Sequence, residues 1–224
     1  MIRLFSVCLA VVGFLNAGVT QSSKSTANDP KAKVILDKLK KQMDSYRNME
    51  IKFEFESEVP GTPVESQKGT MIQEGDKYQI KMKDQDIYCN GTTSWLYLKK
   101  GNEVQINDAG QDENEGFLSP RQVMNLYSSG KFIYALTEER KVASKTYADI
   151  EFKPVSKSYE YSKIRLTIDK TENKLVTLRL FSKDGTRFTL KLTDIISNKK
   201  YDPSIFSFNP KAVKGVHIED LRMD

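Results

Sequence analysis

From residue 29 onward, apolar positions first recur at helical spacing and then switch to a period of two. Asp29-Pro30 is a helix start, with Asp as the capping residue and Pro in the first helical position. Ile35, Leu39, Met43 and Tyr46 follow on one stripe, while Lys33, Lys38, Lys40 and Lys41 fall mostly elsewhere, which predicts an amphipathic helix that packs on a sheet. From Ile51 the alternation begins: Ile51, Phe53 and Phe55 against Lys52, Glu54 and Glu56, then Tyr78, Ile80 and Met82 against Lys77, Gln79, Lys81 and Lys83. It returns at Ile150 and Phe152, at Ile164, Leu166 and Ile168, at Val176, Leu178 and Leu180, and at Phe188, Leu190 and Leu192. Each run reads as a strand with one dry face and one wet face. Such strands favour antiparallel pairing, because parallel strands covered on both faces read as continuous apolar runs. Asn90-Gly91 and Asp184-Gly185 supply tight hairpin turns. About ten strands are predicted, enough that the sheet should curl rather than stay flat.

One helical interlude interrupts the strands. Asn107 to Gly116 is an acidic, glycine-containing loop, and Ser119-Pro120 then starts a short helix, Arg121 to Ser128, that stops at Gly130. Val123, Met124 and Tyr127 can form its buried side. The pattern predicts a mainly β (α+β) fold: a curved antiparallel sheet whose concave face is covered by the early helix and one or more short mid-chain helices. The chain ahead of this domain has a different layout. Arg3 precedes the apolar stretch Leu4 to Leu15, and small and polar residues follow from Ala17 to Gln21, as in a secretory signal peptide. Residues 1–20 are assigned to that signal, 21–28 to a polar linker and 29–224 to one domain, with cleavage placed between Ala17 and Thr20. The protein is therefore expected in an exported compartment, most simply a bacterial periplasm. Cys8 lies too early in the apolar stretch to be a lipidation cysteine, and its removal leaves Cys89 as the one thiol.

Composition then narrows the chemistry. The 224 residues carry 35 Lys+Arg against 30 Asp+Glu, a formal net charge of +5, and 38% are hydrophobic, against roughly 45–50% for an ordinary globular chain. This modest charge, without a basic run interleaved with aromatics, gives no nucleic-acid footprint. A single histidine, His217, excludes two-His zinc sites. Gly130-Lys131 lacks the remainder of a P-loop, and the carboxylates from Asp108 to Glu115 do not fall at EF-hand spacing. Cys89 beside Asn90-Gly91 reads as a buried structural thiol. No residue pattern argues for an enzyme, a cofactor or a metal. Met43, Met49, Met71, Met82 and Met124, with Phe53, Phe55, Tyr78 and Trp95, can line one face with soft, adaptable surface. Such a stripe is either ordinary core or the wall of an apolar ligand site.

The segment Cys89-Asn90-Gly91-Thr92-Thr93-Ser94-Trp95-Leu96-Tyr97 resembles the strand-turn-strand D-G-x-x-x-W-x-Y signature of the periplasmic outer-membrane lipoprotein carrier proteins, the LolA-like family. The order of features around it is also similar: signal peptide, amphipathic helix, a Gly-led strand at Gly69-Thr70-Met71-Ile72, the Leu118-Ser119-Pro120 helix start, and the tail from Tyr201 to Pro210 followed by Gly215-Val216. The resemblance implies an incomplete β-barrel lidded by helices, whose apolar cavity shields the acyl chains of a lipoprotein. It implies as partners those acyl chains, an inner-membrane lipoprotein-releasing ABC transporter and an outer-membrane acceptor, with the carrier itself a monomer. The lipid-binding residues expected on this reading are Ile35, Leu39, Met43, Phe53, Phe55, Met71, Tyr78, Ile80, Met82, Trp95, Leu118 and Met124. One departure stands out: the family's Arg-Pro pair, whose Arg closes the lid, falls here at Gly75 and Asp76. The alternative reading is a periplasmic lipid- or peptide-binding sensor module of the same fold.

Overall fold

The computed structural model describes residues 28–109 and 119–222. The proposed signal peptide, nearly all of the linker, most of the acidic loop and Leu118 lie outside the described residues. Helix α1 (Pro30–Asp44) comes first. Six strands follow: β1 (Met49–Glu58), β2 (Glu65–Glu74), β3 (Lys77–Lys81), β4 (Gln85–Cys89), β5 (Thr93–Leu98) and β6 (Glu103–Asp108). Helix α2 (Pro120–Ser128) separates these from β7 (Phe132–Val142), β8 (Lys145–Pro154), β9 (Tyr161–Asp169), β10 (Lys174–Ser182) and β11 (Arg187–Ser197). Two 3-10 turns, Pro203–Phe206 and Pro210–Ala212, lead to β12 (His217–Asp220).

Among the described residues the twelve strands form one sheet in the order β12, β6, β5, β4, β3, β2, β1, β11, β10, β9, β8, β7. Every neighbouring pair is antiparallel except β12 with β6, which is parallel. The sheet is curved and not closed: β12 and β7 are its two ends, giving the incomplete barrel with helices over its concave side. Register shifts between Lys52 and Phe53, Leu136 and Glu138, and Leu175 and Thr177 mark bulges, which bend strands and strengthen local twist. The last of these changes an expected face: Leu175, rather than Val176, is buried with Leu178 and Leu180. The Asn90-Gly91 turn is a side-chain-stitched hairpin, in which Asn90 Oδ1 accepts from the backbone N–H groups of Thr92 and Thr93 and Gly91 takes φ +97°.

The α1 entry ties the helix to the sheet's β7 end. Asp29 Oδ1 caps the helix by accepting from Lys31 N at 2.8 Å, while Oδ2 accepts from Leu136 N at 3.0 Å. Asn28 Oδ1 and the Asp29 N–H complete the pairing at Tyr134. One short segment thus caps a helix and covers part of an exposed strand edge, which would otherwise invite pairing with another chain. Ala32, Ile35, Leu36, Leu39 and Met43 of α1 pack with Ile150, Phe152, Ile164, Leu166, Ile168, Leu178 and Leu190 in the main core.

The outer face is not wet along its whole length. Over β1 and β7 to β11 it carries ion pairs such as Glu151 with Lys163 and Arg165. Over β3 to β6 the C-terminal segment covers it: Phe206 and Phe208 are buried, the Phe208 ring lies 5.7 Å from Tyr88 and 5.3 Å from Tyr97, and Gln79 Nε2 donates to Ile205 O. Tertiary contact with a distant tail thus supplies a second, smaller core that strand alternation alone could not announce.

Close approach fixes Gly69 on β2. A Cβ there would lie 2.5 Å from Phe53 Cζ and 2.8 Å from Lys81 O. Gly69→Ala is expected to cost about 1–3 kcal/mol by forcing the Phe53 ring out of place. Urea unfolding measures this.

Candidate functional site

The pairing register across β2 to β6 places residues of the concave face in two adjacent rows. One row runs Met71, Ile80, Ile87, Leu96 and Gln105, and is apolar across four strands. The next runs Gln73, Tyr78, Cys89, Ser94 and Asn107, and is largely polar. Above both lies α2, started by a capping box in which Ser119 Oγ accepts from Gln122 N and Gln122 Oε1 accepts from Ser119 N. Between α2 and the two rows is a cavity of about 470 Å³, to which the helix contributes Ser119, Arg121, Gln122 and Asn125. Its size falls within the roughly 300–1,000 Å³ of sites that hold one small ligand.

Gln73 is buried, and its Nε2 donates to Gly75 O at 3.3 Å, yet its Oε1 has no hydrogen-bond partner. Arg121 Nη2 donates to Tyr46 O at 3.3 Å, joining α2 to the chain just after α1, while its Nε is buried without a partner. The buried Cys89 Sγ contacts Asp76 O at 3.6 Å. A second tie joins the helices: the Tyr127 hydroxyl donates to Asp37 Oδ1, and Lys33 Nζ reaches Asp37 Oδ2 at 2.7 Å. The Lys33 ammonium, and after it the Tyr127 hydroxyl, hold the Asp37 carboxyl below its ordinary value. Burial, and then the Asp37 carboxylate, push the Tyr127 phenol well above its own. Among the described residues no group of three His, Cys, Asp or Glu could hold a metal ion.

The structure divides the residues singled out in the sequence. Met71, Tyr78 and Ile80 line the cavity, Met71 and Ile80 as buried members of the core that reach its edge. Ile35, Leu39, Met43, Phe53, Met82 and Met124 do not; they belong to the packed core, with Phe55 against its margin, stacked on Phe188 at 5.9 Å. Trp95 borders the cavity, but its register partners Tyr88 and Ile106 place its side chain on the outer face. Its part in the strand-turn-strand motif is compatible with either face, since period two fixes alternation and not which side is inward. Leu118 lies outside the described residues. Ile87 and Leu96 were missed. Each belongs to an alternating run, Ile87 with Cys89 and Leu96 with Ser94, and those polar neighbours concealed the pattern. Gly75, with φ +58°, and Asp76 form the turn from β2 to β3. A cation near the roof comes instead from α2, as Arg121.

Residues 25–184 match the family model described as outer membrane lipoprotein carrier protein LolA. An uncharacterized conserved protein from Thermus thermophilus has a similar structure, with a TM-score of 0.55 at 10% identity, covering 85% of this chain and 99% of its own. A LolA superfamily protein from Nitrosomonas europaea gives a TM-score of 0.43 at 12% identity over 79% of this chain and 97% of its own. No protein in the curated set matches.

Two outcomes check the division between core and cavity. Leu39→Ala is expected to cost about 2–5 kcal/mol as a filled-core truncation, whereas Leu96→Ala, on the half-buried cavity wall, costs less; denaturant midpoints compare them. The Asp37 tie has a pH signature. Its depressed value stabilises the folded state above the ordinary Asp range, near about pH 4, and that contribution is lost as pH falls through the folded value. Hydrogen-exchange protection of α2 should therefore decline on acidification below about pH 4, and in Asp37→Asn it should be lower at neutral pH and lack this step.

Proposed function

Because this chain belongs to the outer membrane lipoprotein carrier protein family, we propose that it binds acylated cargo in the cavity beneath α2 and carries it through the periplasm. The observation that supports this most directly is the half-buried pair Ile87 and Leu96, which continues the row of Met71 and Ile80 out of the core and beneath a helix that does not fill the space above it. Each methylene removed from water there is worth roughly 0.8 kcal/mol, so a chain of ordinary length is held without any covalent step. On this reading the protein is a binder and not an enzyme. It receives lipoproteins from an inner-membrane releasing ABC transporter and passes them to an outer-membrane acceptor. No helix among the described residues is long and apolar enough to cross a membrane.

Release requires that the roof move. α2 spans nine residues and buries Pro120, Val123 and Met124, with the Tyr127–Asp37 and Arg121–Tyr46 bonds adding to its attachment. With three buried residues against the five of α1, α2 is the easier of the two helices to lift. A sensor of lipid or peptide is the second reading, favoured by the polar row beside the apolar one.

Depletion of the protein in its native cell, followed by membrane fractionation of acyl-labelled lipoproteins, tests carriage. Retention at the inner membrane is expected, reversed by the wild-type chain and not by Ile87→Glu. Unchanged sorting, with a stable partner protein co-purifying with a lipid-free chain, supports the sensor instead.

A further inference from the structure

The two ends of the sheet are finished differently. At the β7 end, Asn28 and Asp29 take up backbone groups of Tyr134 and Leu136. At the other end no strand pairs with the outer edge of β12 among the described residues, and all four of its residues are exposed. His217 N donates to Asn102 O at 2.9 Å and Leu221 N to Ile106 O at 2.8 Å. In a parallel ladder alternate residues face the same neighbour, so the N–H and C=O groups of Ile218 and Asp220 point outward. Ile218, beside Val104 on the outer face, is 47% exposed. On the concave face Glu219 lies beside Gln105, whose Nε2 donates to Glu103 at 2.9 Å and to Glu219 at 3.4 Å. The two carboxylates converge on one neutral amide, and neither meets a cation among the described residues. Leu221, next after the strand, is 46% exposed and lines the cavity beneath α2, as Gln105 does. The open edge thus begins where the ligand space ends.

We propose that β12 takes the polypeptide of an acylated cargo as an added strand, with basic residues over Glu103 and Glu219 and an apolar residue against Ile218, while the attached acyl chain enters the cavity past Leu221. Main-chain bonds to Ile218 and Asp220 hold an extended segment of any sequence, and its alternating side chains supply the preference. Two carboxylates that share one amide donor repel each other, and a facing ammonium relieves both. A second copy of the edge does not meet this demand, because His217–Asp220 has no Lys or Arg to offer. The inference deepens the carrier reading and rests on it.

Displacement of a fluorescent fatty-acid analogue from the full-length protein tests the inference with three probes of one chain length: palmitate, an N-palmitoyl peptide of alternating Lys and Val, and its counterpart with Glu in place of Lys. Wild type should bind the Lys peptide about tenfold more tightly than the Glu peptide, and the gap should narrow as salt rises. Glu219→Gln should also narrow it. Ile218→Pro removes one outward N–H and no bond between β12 and β6, at the kind of edge position where Pro is tolerated. It should weaken the Lys peptide about fivefold, the size of one hydrogen bond, and leave palmitate unchanged, whereas Ile218→Ala keeps the N–H and should weaken the peptide less. Hydrogen exchange at the Ile218 and Asp220 amides should slow when the Lys peptide is added. Equal affinity for the two peptides in wild type, or an unchanged Lys peptide in a folded Ile218→Pro, overturns the inference while leaving acyl carriage intact. An equal loss of palmitate and peptide in Ile218→Pro does the same. Self-association that already protects both amides without peptide also overturns it, by placing a second copy on the edge. If no probe binds, the carrier reading falls and the inference with it.

Discussion

The protein depends on one shortage: the concave side of a twelve-stranded open sheet is wider than the apolar helix surface available to cover it. α1 has a stripe of five buried residues and fills the half that faces β1 and β7 to β11. α2 is nine residues long and buries three. It roofs β2 to β6 without filling the space beneath, and the cavity is what remains. The chain's low hydrophobic content, 38%, is the compositional side of the same fact. A longer apolar helix at α2 would convert the cavity into core.

Placement of the helices follows from local polar chemistry at a few positions. Asp29 has two carboxylate oxygens and uses one on α1 and the other on β7, so helix and sheet edge are fixed by a single side chain. The Leu136 N–H holds this carboxyl below its ordinary value, which favours the ionised form that can serve both partners. α2 is held differently, by Tyr127 on Asp37 and Arg121 on Tyr46 O. α1 buries five residues and α2 three, and the cavity lies beneath the helix with the smaller buried stripe.

Much of this architecture is legible in the amino-acid order, and the illegible parts share a cause. Asp29-Pro30 and Ser119-Pro120 announce their helices because caps act on the nearest residues. The alternation at Ile51, Phe53 and Phe55 announces a strand for the same reason. Leu175 replacing Val176 required a bulge that depends on the neighbouring strand. Trp95 turning outward, and the tail residues Phe206 and Phe208 covering Tyr88 and Tyr97, required the register of β4 to β6 and the path of a segment about a hundred residues away. Which candidate lipid-facing residues border the cavity depends on the same kind of distant contact. Leu39 and Ile80 look alike in a periodic pattern and both are buried in the core, and only the reach of each helix over the sheet decides that the second also borders the cavity.

Function on this account is located in one half of the sheet. Methyl-resolved NMR of the full-length protein with a nitroxide-labelled stearate reads that location directly. Paramagnetic broadening is predicted at the methyls of Ile80, Ile87 and Leu96, with those of Ile150, Ile164 and Leu166 beneath α1 unaffected. Broadening centred on Ile164 and Leu166, or none at Ile80, Ile87 and Leu96 at saturating ligand, would contradict it.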